Sequence, residues 1–179
     1  MEVLKDEKSS NKRDGQIERG LKSDNKTEVL RAIKLLRKDG KADHVTLAIH
    51  ALNNSTEDEV SDEIVKFLND LKNQVALEPI SEALQDEKLE GVHIFLLQAI
   101  WNSRLNPLPI IEDLVNIAIK SDYLTCLEVL TIIENLPVAP DDEVIAGLST
   151  QLKDAVMEDK ETKELLLSMI EVLTDYMIG

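Results

Sequence analysis

From Asn25 onward, apolar residues return at intervals of three and four, the period of a helix with one buried face. A first helix runs from Asn25 to Asp39-Gly40 on Val29, Leu30, Ile33, Leu35 and Leu36, and a second from Asp43 to Asn54 on Val45, Leu47, Ala48, Ile49 and Leu52. Val60, Ile64, Val65, Leu68 and Leu71 predict a third. The stretch from Gln74 to Ser103 reads as a hairpin: a short helix on Pro79, Ile80, Ala83 and Leu84, a polar turn from Asp86 to Gly91, and a more buried helix from Val92 to Trp101. Four more helices follow, on Ile110 to Ala118, Tyr123 to Leu136, Val144 to Val156, and Leu165 to Met177. Nine helices joined by short loops, with no strand candidate, predict an antiparallel all-α stack. Ahead of it, residues 1–23 alternate charge with Ser, Asn and Gly and predict a flexible or weakly helical arm, with the helical domain occupying 24–179. Ile17 and Leu21, four apart, would let a short helix dock on the first repeat.

The ends of these elements carry their own signals. Asn25-Lys-Thr-Glu28 and Thr56-Glu-Asp-Glu59 have the spacing of capping boxes, in which the first side chain accepts from the third residue's amide and the glutamate reaches back. Pro109 suits the first turn of its helix, where a missing amide hydrogen costs nothing. Asp159 is the expected cap of the last helix, and Pro137 and Pro140 stop the one that ends at Leu136.

The helices at 43–54, 92–101, 123–136 and 165–177 superpose without gaps. Ile49, Leu97, Leu130 and Ile170 form one apolar column, Ala51, Ala99, Ile132 and Val172 a second, and Leu52, Ile100, Ile133 and Leu173 a third. A helical pair cannot bury both its faces alone, so stacked copies of such a pair account for the register. Pro79-Ile80-x3-Leu84-x-Asp86 followed by Leu96-x2-Ala99-Ile100 resembles a HEAT repeat, with its proline-started first helix, acidic turn, and second helix of small and aliphatic residues. Armadillo-like and other helical hairpins carry nearly the same pattern. The resemblance covers roughly residues 25–179. It implies a short right-handed α-solenoid whose second helices line a concave surface for protein or peptide contacts, and it implies no chemistry.

Two further columns are mostly polar and fall one step from the apolar ones: His50, Gln98, Thr131 and Glu171, and Asn53, Trp101, Glu134 and Thr174. By the geometry of the resembled family, these eight are the candidate partner-binding residues. Trp101 is the expected anchor, set against the plainer expectation that it caps the core beside Leu105. A last column, Asn54, Asn102, Asn135 and Asp175, lies at helix ends, where Asn tolerates a left-handed cap.

Charge narrows the class of partner. The chain carries a formal charge of −15, with +4 in residues 1–41 and −19 in the remainder. An acidic body repels phosphate backbones, so nucleic acid is not an expected partner. Carboxylates that keep a protein in solution account for most of this charge, and a basic partner is its sharper reading. Arg31, Lys34, Lys38 and Lys41 form the one basic stripe, expected as a solvated helix face. No run of about eighteen apolar residues appears, and Cys126 is the single cysteine, which suits a cytoplasmic protein.

Catalytic signatures are missing from the sequence. His44 and His50 are six apart, on different faces of one helix, so a zinc site is not expected. Glu57-Asp58-Glu59 and Asp141-Asp142-Glu143 stand where helices begin and complement their dipoles. No cofactor is expected. The reading is a non-catalytic interaction scaffold or adaptor. The alternatives are a HEAT-like nucleic-acid-processing enzyme of the DNA glycosylase type, disfavoured by the charge, and an assembly subunit that buries the ends of the stack.

Overall fold

The computed structural model describes residues 2–103, 105–158 and 161–178. Among them are ten α-helices and no strand, so the protein is all-α as its periodicity predicts. The chain forms two compact units that meet in sequence between Val92 and His93. The boundary falls inside the stretch read from the sequence as one hairpin, 74–103.

The first unit contains α1 (Glu2–Leu21), α2 (Lys26–Asp39), α3 (Ala42–Asn54), α4 (Asp58–Asn69) and α5 (Leu77–Leu84). One 3-10 turn, Gln74–Ala76, leads into α5, and a second, Glu87–Val92, follows it. The stretch from Asp86 to Gly91 reads as a polar turn, yet Leu89 within it is buried, and Val92, read as the start of the next helix, closes the 3-10 turn as a buried residue. Helix α3 is the centre of the unit and packs against α1, α4, α5 and both turns. It can do so because Val45, Ala48, Ile49 and Leu52 recur at three and four and are all buried. Helix α2 buries Val29, Ala32, Ile33 and Leu36 in the same rhythm and packs on α1 and α4.

Helix α1 covers most of the segment read as an arm. Ile17 and Leu21 are buried, and Gly20 between them lets α1 approach α2 so closely that a Cβ there would stand 2.5 Å from the Ala32 Cβ. An ion pair between Asp14 and Lys41 ties the same helix to the start of α3.

The second unit contains α6 (His93–Ser103), α7 (Ile111–Lys120), α8 (Tyr123–Glu134), α9 (Asp142–Val156) and α10 (Lys163–Ile178). Helix α8 packs on α6, α7 and α10; α9 packs on α7 and α10. The helices thus fall into two rows, α6–α8–α10 and α7–α9, with α7 against α8 and α9 against α10. Ile100, Leu114, Ile133, Leu152, Leu166 and Met169 fill the space between the rows and are essentially inaccessible to solvent. Each such side chain contributes about 1.5–3 kcal/mol relative to an exposed one. Tyr176 of α10 donates its hydroxyl to the carbonyl oxygens of Ile133 at 3.1 Å and Glu134 at 3.4 Å, groups that the end of α8 leaves without helical partners.

Several end signals resolve differently from their sequence reading. The Asn25 side chain does accept from Thr27 and Glu28, but Glu28 returns through a relay: the Asn25 amide donates to Ser23 Oγ, which donates to Glu28 at 2.6 Å. Helix α4 starts later than expected, with Glu57 as its cap and no side-chain cap bond, because Glu59 is drawn instead to Lys26 at 2.7 Å. Pro109 lies in a 3-10 turn, Leu108–Ile110, that feeds α7. Asn135, expected to be left-handed, caps α8 at φ −112° and ψ 25°. The expected cap Asp159 lies outside the described residues.

Candidate docking face

Helices α6, α8 and α10 each present one side to solvent. On α8 this side holds Tyr123, Leu124, Leu127, Thr131 and Glu134, which recur at helical spacing and are exposed or half-buried. The steps of the superposition, 33 and 40 residues, carry Thr131 and Glu134 back onto Gln98 and Trp101 of α6, and Leu127, Thr131 and Glu134 forward onto Leu167, Glu171 and Thr174 of α10. On α6 the step from Leu127 falls on half-buried Ile94, and the exposed apolar residue is its neighbour Phe95. Gln98 Nε2 donates to Glu128 Oε1 at 2.7 Å, which joins the outer edges of α6 and α8.

Six of the eight candidate residues therefore lie on one row of helices: Gln98, Trp101, Thr131, Glu134, Glu171 and Thr174. Gln98 and Thr131 are half-buried and the other four are exposed, Trp101 at 44%. His50 and Asn53 lie apart from them in sequence and unit, exposed on α3. His50 lines an open cleft of about 620 Å³ with Leu21, Lys26, Leu47 and Glu57.

The sequence reading missed the apolar part of this face. Phe95 is 39% exposed, Leu124 58%, Leu127 39% and Leu167 42%. Leu127 and Leu167 share a register position, and an apolar pair in register three residues before a core column reads as more core. Only the exposure separates them from Leu130 and its equivalents. Of the eleven large apolar side chains exposed among the described residues, eight lie on α6, α8 and α10. Scattered single leucines are ordinary on a protein surface, so the concentration of these side chains on one row of helices is the feature that stands out.

The electrostatics are one-sided. Glu128, Glu134, Glu164, Glu171 and Asp175 lie on the outer side of these helices, and Lys163, the first residue of α10, is the one Lys or Arg on the three.

Other chemistry-bearing residues are engaged in structure. His44 is buried, and its Nδ1 accepts the Lys41 amide hydrogen at 3.0 Å, closing the start of α3. Glu57 and Glu59 both pair with Lys26, which raises the lysine pKa chiefly through the Glu59 hydrogen bond. Cys126 is buried in α8, and burial pushes its thiol up to about 11, with the Asp122 carboxylate adding to the effect. A thiol so shifted is a poor nucleophile. Of the basic stripe, Arg31, Lys34 and Lys38 are exposed and Lys41 is neutralised by Asp14. Among the described residues, no group of three or more His, Cys, Asp or Glu side chains could hold a metal ion, and no helix is long and apolar enough to cross a membrane.

Comparison with known protein families, with curated proteins and with solved structures gave no match to this chain.

Proposed function

We propose that the protein is a non-catalytic interaction scaffold, a short HEAT-like α-solenoid whose outer α6–α8–α10 row docks a protein partner with basic character. The single observation behind this reading is the coincidence on that row of six exposed large apolar side chains, Met177 and Ile178 at the end of α10 set aside, with five carboxylates and one lysine. An apolar centre supplies the driving force for association, and a carboxylate rim selects the sign of the partner. The row order α6–α8–α10, with α7 and α9 behind it, supports the solenoid reading, since stacked hairpins bury their faces against successive copies. The test is binding of an identified partner to the intact chain and to Leu127→Glu and Trp101→Ala. Loss of binding with an unchanged thermal melt supports the docking face; full binding by both variants rejects it.

A second reading has an observation of its own. Met177 and Ile178, at the end of α10, are 48% and 79% exposed. An assembly subunit would cover them with another chain. Sedimentation over a range of concentrations separates the two, because only the assembly reading expects mass to grow with concentration.

A further inference from the structure

Many polar groups of the α6–α8–α10 face are already committed within the row. Thr131 donates its hydroxyl to the Leu127 carbonyl at 3.0 Å, Ser168 to Glu164 at 3.1 Å, and Thr174 to Ile170 at 2.7 Å. Asn135 Nδ2 donates to the Thr131 carbonyl at 2.8 Å, and the Gln98 amide donates to Glu128. What the face offers a visitor is chiefly apolar surface and carboxylate oxygens, with the Trp101 indole, the Asn102 amide and the Tyr123 hydroxyl as scattered polar points.

That inventory discriminates between partner conformations. An extended peptide brings a regular row of backbone N–H and C=O groups, each costly to bury without a partner, and the scattered polar groups of the face form no ladder to receive them. No sheet edge exists among the described residues to pair with a strand. An α-helix arrives with its backbone bonds already made and presents only side chains. Charge removes further candidates. A second copy docked through the same face would set one row of carboxylates against another, and an anionic lipid surface would meet the same carboxylates.

Resting on the docking-face reading above, we infer that the occupant is a cationic amphipathic α-helix laid across α6, α8 and α10. Its apolar stripe covers Phe95, Leu127 and Leu167, and its flanking Lys or Arg side chains meet Glu128, Glu134 and Glu171. Packed helices lie about 8–10 Å apart, so three of them present roughly 20 Å, the length of about fourteen helical residues at about 1.5 Å each. Gln98 is a positioning residue: it holds one Glu128 oxygen and leaves the other for the incoming cation.

The experiment titrates the full chain with three labelled synthetic peptides of one composition, Leu, Lys and Ala. One has leucines at helical spacing, one is scrambled, and one is the amphipathic order interrupted by a central proline. Anisotropy gives the affinity and amide shift mapping gives the location. We expect the amphipathic peptide to bind at least tenfold more tightly than the other two. Shifts should centre on α6, α8 and α10, and Leu127→Glu should abolish the preference. Glu128→Gln with Glu171→Gln should flatten the salt dependence while leaving the thermal melt in place. Equal affinity for the three peptides, or shifts centred elsewhere, overturns the helix inference. The broader reading is tested separately: a partner that is lost with Leu127→Glu yet binds as an extended basic segment leaves the docking face standing and sinks only the amphipathic helix, whereas an acidic one overturns both.

Discussion

Replacing Gly20 with alanine asks whether α1 is part of the folded body or an appendage, and the two answers differ in sign. On an isolated helix, Gly→Ala stabilises by about 0.5–1 kcal/mol. Docked as it is, Gly20 faces Ala32: a new Cβ would sit 2.5 Å from the Ala32 Cβ and 3.1 Å from the Glu28 carbonyl oxygen. Ordinary carbon contacts are about 3.5–4.0 Å, so the helices must part by roughly 1 Å. Such overpacking typically costs about 1–3 kcal/mol. The contact term exceeds the propensity term, and we expect a net loss of about 1–2 kcal/mol in urea denaturation followed by circular dichroism. Ala32→Gly removes the opposing methyl group, so the double-mutant cycle should show a coupling of about 1 kcal/mol or more, whereas independent sites add to within about 0.5 kcal/mol. A stabilised Gly20→Ala, or additive singles, would refute the docking of α1 on α2.

Other consequences follow from single contacts. Tyr176→Phe removes the hydroxyl that serves the last carbonyls of α8 and should cost about 1 kcal/mol in the same melts. Asp122 caps α8 by accepting from the Thr125 amide at 2.9 Å, and that bond, with the Thr125 side chain, lowers its carboxyl pKa. A depressed folded pKa stabilises the fold above the ordinary carboxylate value and ceases to do so as pH falls through the folded one. Asp122→Ala should therefore cost about 0.5–2 kcal/mol at neutral pH, as lost caps do, and distinctly less below pH 3.8. The Cys126 thiol, raised from 9.0 to about 11, is the opposite case. Its neutral form is favoured by folding, so its contribution is intact below pH 9.0 and fades as pH climbs toward about 11. A thiol reagent at neutral pH should leave it untouched until denaturant is added.

How far these features could be read in advance depended on whether the signal was local. The apolar spacing of Val29, Ile33 and Leu36 belongs to one helix, and α2 is where that spacing puts it. Thr56 and Glu59 also look like a local signal, but the cation that claims Glu59 is Lys26, thirty-three residues away, and no spacing rule encodes that competition. Gly40 ends α2 as a glycine should, yet for another reason. Its backbone is extended, and a Cβ there would collide with the Leu36 carbonyl.

The face was half legible. The polar columns identified Gln98, Trp101, Thr131, Glu134, Glu171 and Thr174, because polar residues beside a core stripe have to point outward. Phe95, Leu127 and Leu167 were invisible, since hydrophobicity alone does not say whether a neighbour covers a side chain. His50 and Asn53 entered through register, a property of aligned letters, and the fold puts them on a helix of the other unit.

The most direct trial of the docking face compares wild type with the triple variant Phe95→Ser, Leu127→Ser, Leu167→Ser. Both the affinity of an identified protein partner and the urea midpoint are measured on the same preparations. Exposed side chains contribute little to folding, so the midpoint should hardly move while affinity falls by two orders of magnitude or more, about 2.7 kcal/mol of association free energy. An unchanged affinity at an unchanged midpoint would mean that partners are received elsewhere on the molecule.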